Sequence, residues 1–167
     1  MVVQADSSSR AAAIVPVGIA SSETSILDGS PFRLRASGEI TTGSGGTATF
    51  LPGIYYVATN ALTTVTAGGT IVAGVASTAL AASTTYPFLI EATCIWDSTS
   101  QVLSGYYTQI VGLASGFTAP AITIGNTLTA VALDSTTAGQ GFQFQLTMGT
   151  GRTAGSLTLV QFAMEVL

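Results

Sequence analysis

From Gly141 to Met148 the chain reads Gly-Phe-Gln-Phe-Gln-Leu-Thr-Met, large apolar side chains alternating with polar ones without a break. Successive side chains of a strand point to opposite faces, so this period of two predicts a strand with one face buried and the other wet. The same alternation runs through Phe32-Arg33-Leu34-Arg35-Ala36, where Phe32, Leu34 and Ala36 share one side and both arginines the other. Tyr86 to Trp96 predicts a central strand, with Phe88, Ile90, Ala92, Cys94 and Trp96 on one side and Leu89, Glu91, Thr93, Ile95 and Asp97 on the other. Asp97-Ser98-Thr99-Ser100 predicts a tight turn, because short polar side chains bond back to the backbone. Gln101 to Gly112 then returns antiparallel with Tyr106 and Tyr107 on opposite faces. Both faces of this hairpin carry apolar or aromatic groups, so one is expected in the core and the other at an intersubunit contact.

Further strands are expected over Phe32 to Thr42, over Thr47 to Phe50 and Ile54 to Thr59 on either side of Pro52-Gly53, and over Thr63 to Ala67 and Thr70 to Val75 as a hairpin across Gly68-Gly69. The alanine-rich run from Ala76 to Thr85 is expected to be a loop with a brief strand, since its serines and threonines weaken a helix. Ala121 to Ile124 and Thr127 to Leu133 continue the pattern, and Gly125-Asn126 between them reads equally as a turn or as a bulge in one long strand. Leu157 to Val166 closes the chain; its parity shifts between Leu159 and Val160, which fits a bulge or burial on both faces. The total of about eight to ten strands with glycine-rich turns predicts an all-β chain, an antiparallel β-sandwich of jelly-roll type over residues 30–167. An immunoglobulin-like sandwich is the runner-up and usually needs fewer strands. Residues 1–29 are expected to form an extended N-terminal arm and linker: Pro16 blocks a regular helix in the small apolar stretch from Ala11 to Ala20 and favours an extended strand or an arm laid on a neighbouring subunit or underlying surface.

Composition narrows the function. The chain has 167 residues, enough for one domain with a core. Four arginines, no lysine and no histidine face eight acids, for a net charge of -4. Arg10, Arg33, Arg35 and Arg152 are too few and too scattered to follow a phosphate backbone, so nucleic acid is not an expected partner. Charged residues make up 7% of the chain, far below the roughly one quarter of an ordinary domain. Two readings of that neutral exterior stand side by side: a surface covered by partner chains in an oligomer or shell, or a particle-bound or extracellular protein that tolerates a Thr/Ser surface. Met1 to Arg10 lacks a cationic start followed by an apolar run, so no secretory signal is expected. Every apolar run is interrupted well before a membrane-spanning length, and no membrane partner is expected. Synthesis in the cytoplasm follows.

No catalytic, cofactor-binding or metal-binding residues are expected. Histidine, the commonest tuned proton carrier, is missing. Glu91, Asp97, Asp134 and Glu165 are the carboxylates in or beside strands; a glycosidase needs two of them across a cleft, whereas the simpler expectation is that they satisfy solvent, turns, or Arg33 and Arg35. Cys94, the single cysteine, forms no intrachain disulfide and is expected to be a core group. The Gly43 to Gly46 and Gly149 to Gly151 runs lack a following lysine and are expected to be turns, with no phosphate loop. Tyr55, Tyr56, Tyr106 and Tyr107 are adjacent pairs, so one of each pair is expected inside and the other at a partner. The candidate assembly contacts are therefore Ile14, Val15 and Val17 of the arm together with Tyr55, Tyr106 and Tyr107.

In its Phe32-Arg33-Leu34-Arg35-Ala36-Ser37-Gly38, Leu51-Pro52-Gly53-Ile54-Tyr55-Tyr56, Glu91-Ala92-Thr93-Cys94-Ile95-Trp96-Asp97-Ser98 and Leu103-Ser104-Gly105-Tyr106 segments, and in its ending from Gly141 to Glu165, the chain resembles the small β-sandwich structural proteins of tailed bacteriophage particles. The resemblance implies a virion protein on the outer capsid surface, a decoration or cement protein that contacts the major capsid protein and copies of itself, commonly as a homotrimer. The alternative it implies is a tail or head fibre component with a receptor-binding or glycan-binding role.

Overall fold

The computed structural model describes residues 2–5, 10–16, 29–45, 49–57, 69–74, 76–77, 79–97, 99–112, 121–127, 131–132, 141–148 and 155–167. These residues form the strands β1 (Val2–Ala5), β2 (Arg10–Pro16), β3 (Pro31–Thr41), β4 (Phe50–Val57), β5 (Thr70–Ala73), β6 (Thr85–Asp97), β7 (Val102–Val111), β8 (Ala121–Thr127), β9 (Val131–Ala132), β10 (Gly141–Met148) and β11 (Gly155–Val166). Two antiparallel sheets result. The larger runs β1-β11-β3-β6-β7-β8 with β9 also on β7, and the smaller runs β2-β10-β4-β5.

The pairing is nested. β1 pairs with β11, β2 with β10, β3 with β6 and β4 with β5, so each of the first four strands meets a later one in reverse order. Lateral pairing of β11 with β3 and of β10 with β4 knits these four pairs into two sheets. β7 and β8 then widen the larger sheet beyond β6.

Alternation places the core between the sheets. Phe32, Leu34, Ala36 and Ile40 of β3 and Phe88, Ile90, Ala92 and Cys94 of β6 are buried against Phe142, Phe144 and Leu146 of β10 and Phe50 and Ile54 of β4. Aromatic rings bridge the two layers: Phe88 stacks on Phe144 with centroids 5.2 Å apart, and Phe32 lies 6.0 Å from Phe142. Each fully buried ring of this size contributes about 1.5 to 3 kcal/mol relative to an exposed one.

Four expectations change. Two pieces of the stretch read as an arm, residues 2–5 and 10–16, are strands of the protein's own sheets, edge strands in register with β11 and β10. Small Ala and Val side chains give little amphipathic signal, and Pro16 sits at the last position of its strand, where a missing N–H costs least. Second, β4 runs unbroken through Pro52-Gly53. β5 pairs no further along it than Ile54, so at Pro52 β4 has a ladder partner on one side only, Leu146 of β10, and tolerates proline. Third, the polar face of β10 is not wet: Gln143 and Gln145 are 0% and 1% exposed, and Gln145 Nε2 donates to Gln143 Oε1 at 3.4 Å. An uncharged amide can be buried once hydrogen-bonded, so a Phe-Gln-Phe-Gln pattern does not separate a wet face from a satisfied buried one. Fourth, Tyr107 is a core residue, as described below.

Two bulges fall where parity had shifted. The β11 register slips between Leu159 and Gln161, leaving Val160 out of step and 74% exposed, and Gly38 opposite leaves room because a Cβ there would overlap the Thr158 carbonyl. The β7 to β8 register slips between Tyr107 and Gln109, so Gly125-Asn126 belongs to one bulged strand. The first arm of the expected hairpin, residues 63–67, lies outside the described residues.

Candidate assembly surface

Because β3 and β6 turn their apolar positions inward, their alternate positions form the outer face of the larger sheet. In register across β11, β3, β6 and β7, one row reads Glu165, Arg33, Thr93, Tyr106 and the next Ala163, Arg35, Glu91, Thr108. A third row reads Gln161, Ser37, Leu89, Ile110. Tyr106 is 57% exposed and Ile95, at the β6 end of this face, is 42% exposed.

The charges on these rows compensate one another. Arg33 Nε lies 3.6 Å from Glu91 Oε1, Arg33 Nη1 lies 3.7 Å from Glu165 Oε2, and Arg35 Nε lies 4.0 Å from Glu91 Oε2. These are ion pairs between half-exposed groups, worth about 0 to 1 kcal/mol each, so they contribute little to folding. Their effect is electrostatic: two cations and two anions leave the centre of the face without net charge.

Of the sequence-predicted contacts, the structure leaves Tyr106 on this face. Tyr107 points the other way, is 7% exposed, and donates from its hydroxyl to the Gly74 carbonyl at 3.4 Å; it ties the two layers together and is withdrawn as an assembly contact. Tyr55 is half-buried on β4, with its ring over Gly53, where a Cβ would stand 2.8 Å from Tyr55 Cε2. Ile14 and Val15 occupy ladder positions opposite Gln143 and Phe142, and Val17 lies outside the described residues. Ile14 and Tyr55 therefore share one row of the smaller sheet, on either side of Gln143, whereas Tyr106 lies on the other sheet. Ile95 was not among the candidate contacts, although the alternation that buries Cys94 already set it on the opposite side with Leu89, Glu91 and Thr93, and it is exposed there.

The chemistry-bearing side chains have structural partners. Glu91 and Glu165 hold the arginines, and Asp97 caps its turn, accepting from Thr99 N at 2.9 Å and from Ser100 Oγ at 2.7 Å. The Ser100 hydroxyl and then the Thr99 and Ser100 amides hold the Asp97 carboxyl below its ordinary pKa of 3.8, so the capped turn persists above that pH and weakens as acid protonates it. Asp134 lies outside the described residues, and among the described residues no three of His, Cys, Asp and Glu come together.

Burial pushes the Cys94 thiol up to about 12 from 9.0. The native thiol is therefore expected to resist iodoacetamide at pH 8 and to react at an ordinary rate once the chain is denatured, followed by mass spectrometry. The same shift gives a stability sign: the unfolded thiol ionises first, so stability contributed by the neutral buried group is lost between pH 9.0 and about 12. Rapid alkylation of folded protein at pH 8 would contradict this placement.

No protein-family model, curated protein or solved structure matches the chain.

Proposed function

We propose that the chain is a jelly-roll structural protein of a tailed-bacteriophage particle, a decoration or cement protein that stabilises contacts between major capsid proteins, with no catalytic role. The jelly-roll reading is supported by the nested pairs β1 with β11, β2 with β10, β3 with β6 and β4 with β5, the order produced when one long hairpin is rolled over on itself. β7, β8 and β9 are then an insertion that widens one sheet.

The observation that carries the assembly role is the difference between the two sheets' second faces. On the smaller sheet, Gln143 and Gln145 are already out of solvent. On the larger, Tyr106 and Ile95 stand exposed around compensated charges. Covering such a face removes apolar area from water at about 25 cal/mol per Å² without stranding net charge, which suits a protein whose task is to hold others in place.

Particles lacking the protein provide the test. Purified protein added back is expected to bind the shell saturably and to raise its rupture temperature. Tyr106→Asp is expected to lose about tenfold in shell affinity while melting like the wild type. Electron microscopy that finds the protein on a fibre with the shell bare, or saturable glycan binding by the isolated protein with no shell attachment, would overturn the decoration reading in favour of a receptor-binding one.

A further inference from the structure

We infer that the open face of the larger sheet binds the same face of a second copy of this chain, around a two-fold axis running along the strands between β3 and β6. This rests on the reading of that face as an assembly surface and makes its partner a second copy, so that Tyr106 acts on shell attachment through the pairing of copies and not by touching the shell.

Three observations lead there. The face is open at Tyr106 and Ile95, 57% and 42% exposed, whereas Gln143 and Gln145 behind the other sheet are buried. The charged groups also keep hydrogen-bonding capacity, since none of the three ion pairs, at 3.6, 3.7 and 4.0 Å, is short enough for a hydrogen bond. Finally, the charges are ordered across the strands: at the centre of the face Arg33 and Arg35 are balanced by Glu91 and Glu165, while Glu39, two rows further along β3, adds one exposed carboxylate toward its rim.

Such an order is self-complementary. The proposed axis exchanges β3 with β6 and β11 with β7 while keeping each row opposite its own copy. The row Ala163, Arg35, Glu91, Thr108 then meets itself reversed, and Arg35 of each copy stands over Glu91 of the other. In the neighbouring row Glu165 stands over Tyr106 of the second copy, which places a carboxylate acceptor within reach of the phenol hydroxyl. In this isologous contact the Arg35–Glu91 pair forms twice, once on each side of the axis, while Arg33 stands over Thr93 of the second copy.

Sedimentation equilibrium of the purified chain at micromolar concentration is expected to report a dimer. Arg35→Glu and Glu91→Arg, each alone, place like charges opposite one another and are expected to sediment as monomers. An equimolar mixture of the two is expected to recover the dimer, because each variant then faces the opposite sign. Repair confined within one chain predicts no recovery on mixing, which makes the mixture the decisive arm. Tyr106→Glu leaves the ion pairs untouched, sets a carboxylate against Glu165 of the second copy, and is expected to weaken the dimer about tenfold. A monomeric wild type, a trimer indifferent to both charge reversals, or variants that stay monomeric when mixed would each overturn the inference. Should a charge reversal fail to fold by circular dichroism, Tyr106→Glu decides alone, an undiminished dimer counting against it. Shell attachment is read separately, so a chain that binds shells yet never dimerises keeps the proposed function and loses this partner.

Discussion

Removal of residues 1–16 is expected to abolish the folded domain. β2 pairs along β10 from Gly141 to Leu146, and β1 pairs along β11 from Gly155 to Thr158. Without them both strands become edges, and β10 carries Phe142, Phe144 and Leu146, three fully buried anchors of the core. An unpaired edge bearing such side chains is a template for aggregation. A domain of this size commands only about 5 to 15 kcal/mol in total, so losing the outer strand of each sheet consumes most of it. The truncated chain should be recovered insoluble, or should melt more than about 10 °C below the full chain, with near-ultraviolet circular dichroism reporting the lost aromatic packing. A true arm predicts the opposite: unchanged melting, with only attachment to the particle lost. The experiment therefore separates an edge strand from a tether, and a truncated chain that melts with the full one would return residues 2–16 to the status of an arm.

How the two readings of that segment diverged shows what is legible in such a chain. β3, β6 and β10 were readable because each alternates large apolar groups with polar ones, and a period of two carries the strand assignment and the inward set together, whereas β7, apolar on both faces, was readable only as the return strand after the Asp97 turn. The slip at Val160 was readable for the same reason, as a break in parity. β2 was not, because in Arg-Ala-Ala-Ala-Ile-Val-Pro both faces carry small groups and nothing marks an inside. Its pairing with β10 joins residues more than a hundred positions apart, and no local pattern encodes such a partner. The candidate surface was half legible. Alternation put Arg33 and Arg35 together on one face, and opposite parity split Tyr106 from Tyr107. Which tyrosine went inward depends on how β7 lies beside β6, where Ala92 meets Tyr107 and Thr93 meets Tyr106. The glutamines of β10 mark the limit of polarity as a guide, since a neutral amide reads as wet in sequence and is buried here.

Phe144→Ala is the single substitution expected to cost most. Its ring is fully buried, stacks on Phe88 at 5.2 Å with 11° between the planes, and meets Phe162 at 6.3 Å and 57°. It thus touches β6 and β11 of one sheet from the middle of the other, where β10 is held between β2 and β4 and cannot shift to close a void. Truncation of a buried phenylalanine that cannot be refilled costs about 3 to 5 kcal/mol. At about 2 to 4 °C per kcal/mol, the melting temperature should fall by roughly 6 to 20 °C. Tyr106→Ala, on the outer face, removes a ring of similar size and should change isolated-chain stability by no more than about 0.5 kcal/mol. Urea unfolding of the two variants, at a concentration where the chain is monomeric, measures the contrast directly. Equal losses would mean that the outer face is as tightly packed as the interior, and that the division of this sandwich into a closed side and an open one is mistaken. A large loss at Phe144 beside a negligible one at Tyr106 would fix where the folding free energy resides and leave the open face free to serve association alone.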